Sequence, residues 1–195
     1  SVKAAKKGLK TLVEYNDKGG NYAWKVLSKT LSYAASLVPE ITDNLVNVDL
    51  AMKNGFLWKK GPFEMLDDLG PSWFASKIEA EGMQVPDLLK VVSDGKFYDV
   101  ISGELNYLGV GGKYSKIRKP KGYLNTKDVK LGKEPIFRNP SASLWDMDDE
   151  ILLAEFHSKM NSMDPLIMEA LSKASDLCES GNFKGLVVGN DGTNF

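Results

Sequence analysis

Apolar positions in roughly the first 95 residues recur every three and four places, whereas later ones alternate or run together. This predicts a helical half followed by a half richer in strands. The spacing places helices at about 3–16, 21–37, 46–54, 62–69, 71–81 and 85–93, with Asp17-Lys-Gly-Gly20 between the first two and Pro39, Gly55, Gly70-Pro71 and Gly82 as further punctuation. Asn47 reads as the cap of a helix that carries Val48, Met52 and Phe56 on one face, and Gly55 as its stop. Gly61-Pro62 then restarts the chain, with Pro62 at the first helical position and Phe63, Leu66 and Leu69 as the next apolar stripe.

Residues 96–101 and 104–109 (KFYDVI, ELNYLG) alternate around Ser102-Gly103 and predict a hairpin. Residues 110–142 read as a linker. Ser143–Asp148 and Glu150–Phe156 read as two strands joined by a turn at Asp148-Asp149, and the loop His157–Ser162 leads to Asp164-Pro165. These open a helix with Leu166, Ile167, Ala170, Leu171, Ala174 and Leu177 inward. Lys184–Gly189 reads as a buried strand and Asn190–Phe195 as the turn after it. The fold class is therefore mainly α followed by a smaller α+β segment: a helical domain at 1–95, hairpin and linker at 96–142, and a β-β-α-β unit at 143–195.

A net charge of −1 disfavours a dedicated nucleic-acid binder, and a single cysteine in 195 residues disfavours an oxidising compartment. With a polar N-terminus and no apolar run near the ~18 residues of a membrane span, the expected location is cytoplasmic. Cys178 reads as a small buried hydrophobe. His157 is the only histidine and cannot form a metal site without other ligands, so no metal is expected. Gly109-Val-Gly-Gly-Lys113 has Tyr114 where a dinucleotide fingerprint needs its third glycine, and reads as a hairpin exit. The linker holds Lys113, Lys116, Arg118, Lys119, Lys121, Lys127, Lys130 and Lys133 against Asp128 and Glu134. A solvated connector is the first reading of that charge, and attraction of CoA phosphates the second. Met52, Trp58, Phe63, Met65 and Trp73 read first as fillers between helices and second as an interface.

VDLAMKNGFLWKKGPFEMLDDLG, Val48–Gly70, resembles the helical C-terminal domain of 3-hydroxyacyl-CoA dehydrogenases. The preceding run, Ala23–Asp49, resembles a second copy of that domain in proteins that fuse the dehydrogenase to an enoyl-CoA hydratase. The β-β-α-β order from Ser143 onward resembles the start of a crotonase, or enoyl-CoA hydratase, domain. Together these resemblances imply a segment of a fatty-acid β-oxidation enzyme that hydrates an enoyl-CoA and oxidises a 3-hydroxyacyl-CoA with NAD. They also imply that this piece is inactive alone and carries no catalytic residue: the His-Glu pair belongs to an NAD-binding domain, and the hydratase groups lie beyond Phe195. Lys159, Met160 and Asn161 would run beside the CoA nucleotide. The implied partners are an acyl-CoA, the missing NAD-binding and crotonase portions, and a second copy met through the helical half, with no nucleic acid and no membrane span. Two alternatives stay open: a non-enzymatic helical assembly module, or a dehydrogenase with a degenerate crotonase tail.

Overall fold

Gly8, at φ 130°, breaks the first predicted helix in two, α1 (Val2–Ala5) and α2 (Leu9–Val13). A computed structural model describes residues 1–190 and divides the chain into two units: 1–101 with 105–117, and 102–104 with 118 onward. In the first unit, α3 (Lys18–Ser36) starts three residues before the predicted position because the Asp17 carboxylate accepts the Gly20 N–H at 2.7 Å. Its inner face buries Trp24, Leu31 and Ala35.

Asn44, rather than Asn47, caps α4 (Leu45–Phe56), its side chain accepting the Val46 N–H at 3.0 Å. Nor does Gly55 end this helix. No neighbour crowds Gly55, and the chain turns two residues later, where Leu57 adopts the left-handed conformation at φ 55°. In α5 (Pro62–Leu69) the predicted stripe is buried throughout, and Phe63, Leu66 and Leu69 meet Phe74 and Ile78 of α6 (Pro71–Ala80) and Leu89 of α7 (Asp87–Val92) in one core. Three strands follow, β1 (Tyr98–Ile101), β2 (Glu104–Leu108) and β3 (Tyr114–Lys116). Ser102 and Gly103 both have positive φ, as a two-residue type I′ hairpin turn requires. Gly109–Lys113 forms the next turn, with the Gly109 N–H donating to the Lys113 carbonyl at 2.9 Å.

The second unit begins inside the predicted linker, which contains α8 (Thr126–Lys130) and β4 (Phe137–Arg138) as well as the end of the preceding sheet. Neither element has enough apolar periodicity to be read from sequence. A four-stranded sheet is completed by β5 (Ala142–Asp146), β6 (Ile151–Phe156) and, after α9 (Pro165–Glu179), β7 (Gly185–Val188). Strand order is β4-β5-β6-β7, antiparallel except for the parallel β6–β7 pair, whose crossover is α9. The β5–β6 turn is wider than predicted: Met147 N–H donates to Ile151 O, and Asp148, Asp149 and Glu150 all have positive φ.

Alternation along β5 and β6 sends Leu144, Leu152 and Ala154 towards Ala174 of α9, and Trp145 and Leu153 towards Val129 of α8. In α9, Ile167, Ala170 and Ala174 are fully buried as expected, but Leu166 is exposed and Cys178 only half-buried. In β7, expected to be a buried strand, Leu186, Val187 and Val188 are 39–43% exposed, and β7 lies last in the strand order among the described residues. The turn predicted from Asn190 falls, from Asp191 on, outside the described residues, and so does Phe195. Among the described residues, no helix is long and apolar enough to cross a membrane.

Candidate functional site

The loop leaving β6 is held at both ends by one residue, Ser141, in the turn between β4 and β5. Its carbonyl accepts the His157 N–H at 2.8 Å, and its hydroxyl donates to Asp164 Oδ2 at 2.6 Å. Asp164 Oδ1 in turn accepts the Ile167 N–H at 2.8 Å, capping α9. The Ser141 hydroxyl and this cap hold the Asp164 carboxyl below the usual carboxylate range.

Between the anchors, Lys159–Asn161 forms one 3-10 turn in which Met160 (φ 58°) and Asn161 (φ 53°) are left-handed. Ser158 Oγ donates to the Ser162 carbonyl at 2.8 Å, and Ser162 Oγ to the Lys159 carbonyl at 2.9 Å. Lys159 and Met160 therefore project from a loop tied by its own serines. Lys159 makes no ion pair among the described residues, so its ammonium is available to an anion, and the turn presents backbone polar groups beside it.

His157 is engaged in a hydrogen-bonded pair at the start of the loop. Its Nε2 lies 2.8 Å from Ser143 Oγ, which also accepts the Trp145 indole N–H at 2.7 Å. With the indole N–H donating, the Ser143 hydroxyl has its own hydrogen to give to an unprotonated Nε2. Ser143 is fully buried, so the pair fixes the start of the loop and offers no open nucleophile. On the neighbouring part of the sheet, Lys130 Nζ donates to Glu155 Oε1 at 2.6 Å. No group of three or more His, Cys, Asp or Glu suited to a metal occurs among the described residues.

In the helical unit the dense polar network centres on Asp49. From α4 its carboxylate accepts the Phe63 N–H (2.8 Å), the Glu64 N–H (3.1 Å) and the Tyr98 hydroxyl (2.8 Å). It thus caps α5 from a different helix, because Gly61, at the cap position, has no side chain. Gly61 is also forced: a Cβ there would lie 2.3 Å from Asp49. Asp67 accepts the Phe97 and Tyr98 N–H groups at 2.7 and 2.8 Å. Burial pushes both carboxyls up to about 6 against their hydrogen bonds, and burial beside Asp49 pushes the Tyr98 phenol up as well.

The methionine and aromatic residues singled out from sequence separate into two groups. Phe63 is core, and Trp73 packs edge-on against Trp24 at 5.7 Å. Trp58 and Met65 instead line an open groove of about 590 Å³ with Leu9, Leu27, Lys59 and Lys60. Beside Trp58, Phe56 and Leu57 stand 70% and 88% exposed.

Three of the basic residues assigned to the linker are paired with acids, Lys119 with Asp128, Lys130 with Glu155 and Lys133 with Asp148, so part of that charge is consumed within the unit. Sequence reading missed Ser141, Asp49 and Asp67. Asx and serine residues are common in loops and at caps, and nothing local marks which ones reach across the fold.

Along its whole length the chain is 37% identical to a probable 3-hydroxyacyl-CoA dehydrogenase of Bacillus subtilis (strain 168), of which it covers 25%. It is 29% identical to a putative fatty acid oxidation complex trifunctional enzyme of Rickettsia felis over 90% of the chain and 22% of that protein. Its identity to the protein of the same description in Rickettsia prowazekii is 28%, over 96% of the chain and 23% of that protein. The chain spans about a quarter of the length of these curated relatives. No family model and no solved structure matches it.

Proposed function

We propose that this chain is part of a fatty-acid oxidation enzyme that oxidises 3-hydroxyacyl-CoA with NAD and hydrates enoyl-CoA. In this reading residues 1–95 are a second helical dehydrogenase domain, 96–142 connect it onward, and 143–195 open a crotonase domain. The observation that carries it is the 37% identity to a protein described as a 3-hydroxyacyl-CoA dehydrogenase, sustained over the whole chain. The β5-β6-α9-β7 order with its parallel β6–β7 pair supports the crotonase part.

This chain's residues fit CoA at the Lys159–Asn161 loop. Lys159 would meet a phosphate, and backbone groups of Met160 and Asn161 the nucleotide, on a loop already held by Ser141, so little ordering is needed on binding. Gly109–Lys113 is a hairpin turn, and the single histidine is tied to Ser143. NAD would supply the hydride acceptor from a domain outside this chain. Oxidation of 3-hydroxybutyryl-CoA and hydration of crotonyl-CoA are therefore expected of the longer polypeptide and absent from residues 1–195 alone. In titration calorimetry, Lys159→Glu should weaken CoA binding to the polypeptide that holds the complete pocket by about tenfold, equivalent to ~1.4 kcal/mol. Unchanged CoA affinity would reject the loop assignment, and absence of both activities from the longer polypeptide would reject the enzyme reading.

A second reading, a helical assembly module, is favoured by the groove at Trp58 and Met65 with Phe56 and Leu57 exposed beside it. Under this reading two copies associate through that face, and Leu57→Glu abolishes the dimer in sedimentation experiments. A chain that stays monomeric at high concentration counts against it.

A further inference from the structure

The outer face of α3 bears a pattern that neither the core nor the proposed function uses. Tyr22, Val26, Lys29, Tyr33 and Ser36 are spaced four, three, four and three residues apart, the seam spacing of a coiled coil. All five are exposed, with Tyr22, Val26 and Tyr33 at 72, 44 and 66%, while the opposite face of the same helix is buried. A helix inside a fold normally carries one apolar stripe, and this one adds three aligned apolar side chains, Tyr22, Val26 and Tyr33, on the opposite face.

Charge specifies what the second stripe would accept. Lys18 and Lys25 flank the seam and Lys29 lies within it, whereas α3 contains no acidic residue. None of the three lysines forms an ion pair among the described residues, although Lys53, Lys60, Lys130 and Lys133, among others, do. At the C-terminal end of the seam, Tyr33 borders a groove of about 380 Å³ with Met83 and Pro86, wide enough for one large apolar side chain.

We propose that this face of α3 docks an acidic amphipathic helix, whose apolar seam lies along Tyr22, Val26 and Tyr33 and whose glutamates meet Lys25 and Lys29. The stripe from 22 to 36 is about 21 Å long at 1.5 Å per residue, so the partner helix needs about four turns. An interface that short belongs among weak, reversible contacts.

A second copy of the same stripe fits poorly. Pairing two copies side by side sets Lys29 against Lys29 in the parallel arrangement and lysine flank against lysine flank in the antiparallel one, with no acid on α3 to relieve either. An anionic membrane would satisfy the lysines, but two tyrosines and a valine over an arc of about 40° provide little surface to insert.

The test uses the 195-residue chain and two labelled synthetic helices of three heptads. Both have leucine at the seam positions, one with glutamate and the other with lysine at the flanking positions. Fluorescence anisotropy should show the glutamate helix binding at least tenfold tighter. The double change Lys25→Glu, Lys29→Glu should reverse that preference, and Tyr33→Ser should weaken the glutamate helix. These positions are exposed, so the thermal unfolding profile should be preserved in each variant. Equal binding of the two helices, no binding of the glutamate helix up to about 1 mM, or binding to phosphatidylserine vesicles in preference to it would overturn the proposal. So would a dimer of the chain that Tyr33→Ser dissolves.

Discussion

Asp49 and Gly61 explain each other. The carboxylate occupies the space in which a side chain at 61 would sit, and takes over the capping that such a side chain would have provided. Burial is what raises Asp49 and Asp67 to about 6, so each binds a proton more readily in the folded chain than in the unfolded one, where the ordinary value is 3.8. A raised acid stabilises the fold while protonated and loses that contribution as pH rises through its folded value. The helical unit is therefore expected to resist urea better near pH 5 than near pH 7.5, the difference developing between about pH 4 and 6 and reaching its limit above that. Asp17 and Asp164, held below the usual range, keep their contribution down to the ordinary carboxylate value and do not oppose this change above about pH 4. Asp49→Asn should flatten part of the slope and destabilise the unit by about 2–4 kcal/mol, since buried N–H donors lose a charged acceptor. A pH profile identical in the two proteins would contradict the burial argument.

At the scale of elements, two glycines that look equivalent in sequence should respond in opposite directions. Gly61→Ala forces a Cβ into Asp49 at 2.3 Å and should cost more than about 2 kcal/mol. Gly55→Ala, inside α4 with nothing within 4 Å of the added carbon, should stabilise by about 0.5–1 kcal/mol. Chemical denaturation of both variants checks the pair, and a stabilising Gly61→Ala would refute the account of the cap. The 3-10 loop supplies a third case. Ser141→Ala removes one of its anchors and should raise hydrogen exchange over 157–163 while α3 and α5 stay protected.

Element boundaries show how much was legible beforehand. The α5 stripe was readable because Phe63, Leu66 and Leu69 keep strict helical spacing behind Gly-Pro. The cap of α4 was misplaced by three residues because Asn44 and Asn47 are equally good caps by type, and only the path of the preceding chain chooses between them. The break at Gly8 was invisible because the apolar spacing continues across it.

At the scale of the whole molecule, each unit has an apolar core of its own: Phe63, Leu66 and Phe74 belong to one in the first, and Leu144, Leu152 and Ala174 to one in the second. A cavity in one unit should therefore be felt mainly there. Leu152→Ala, at a fully buried position of β6, should cost about 2–5 kcal/mol, with hydrogen-exchange protection lost over 118–190 and retained in α3 and α5. Uniform loss across both units would show that they unfold together. The basic stretch illustrates the same dependence on context. Its lysines read as free charge until acids from Asp128, Asp148 and Glu155 are brought to three of them.

Sequence alone determined the helical half, its buried α5 stripe, the two hairpins and the β-β-α-β order, because these follow from apolar periodicity and from glycine and proline chemistry acting over a few neighbours. Only the tertiary structure decided that Asp49 caps a helix 14 residues further on and that Ser141 anchors the candidate loop 23 residues from Asp164. Those outcomes depend on which distant groups share a site, and periodicity carries no information about contacts between segments it treats separately.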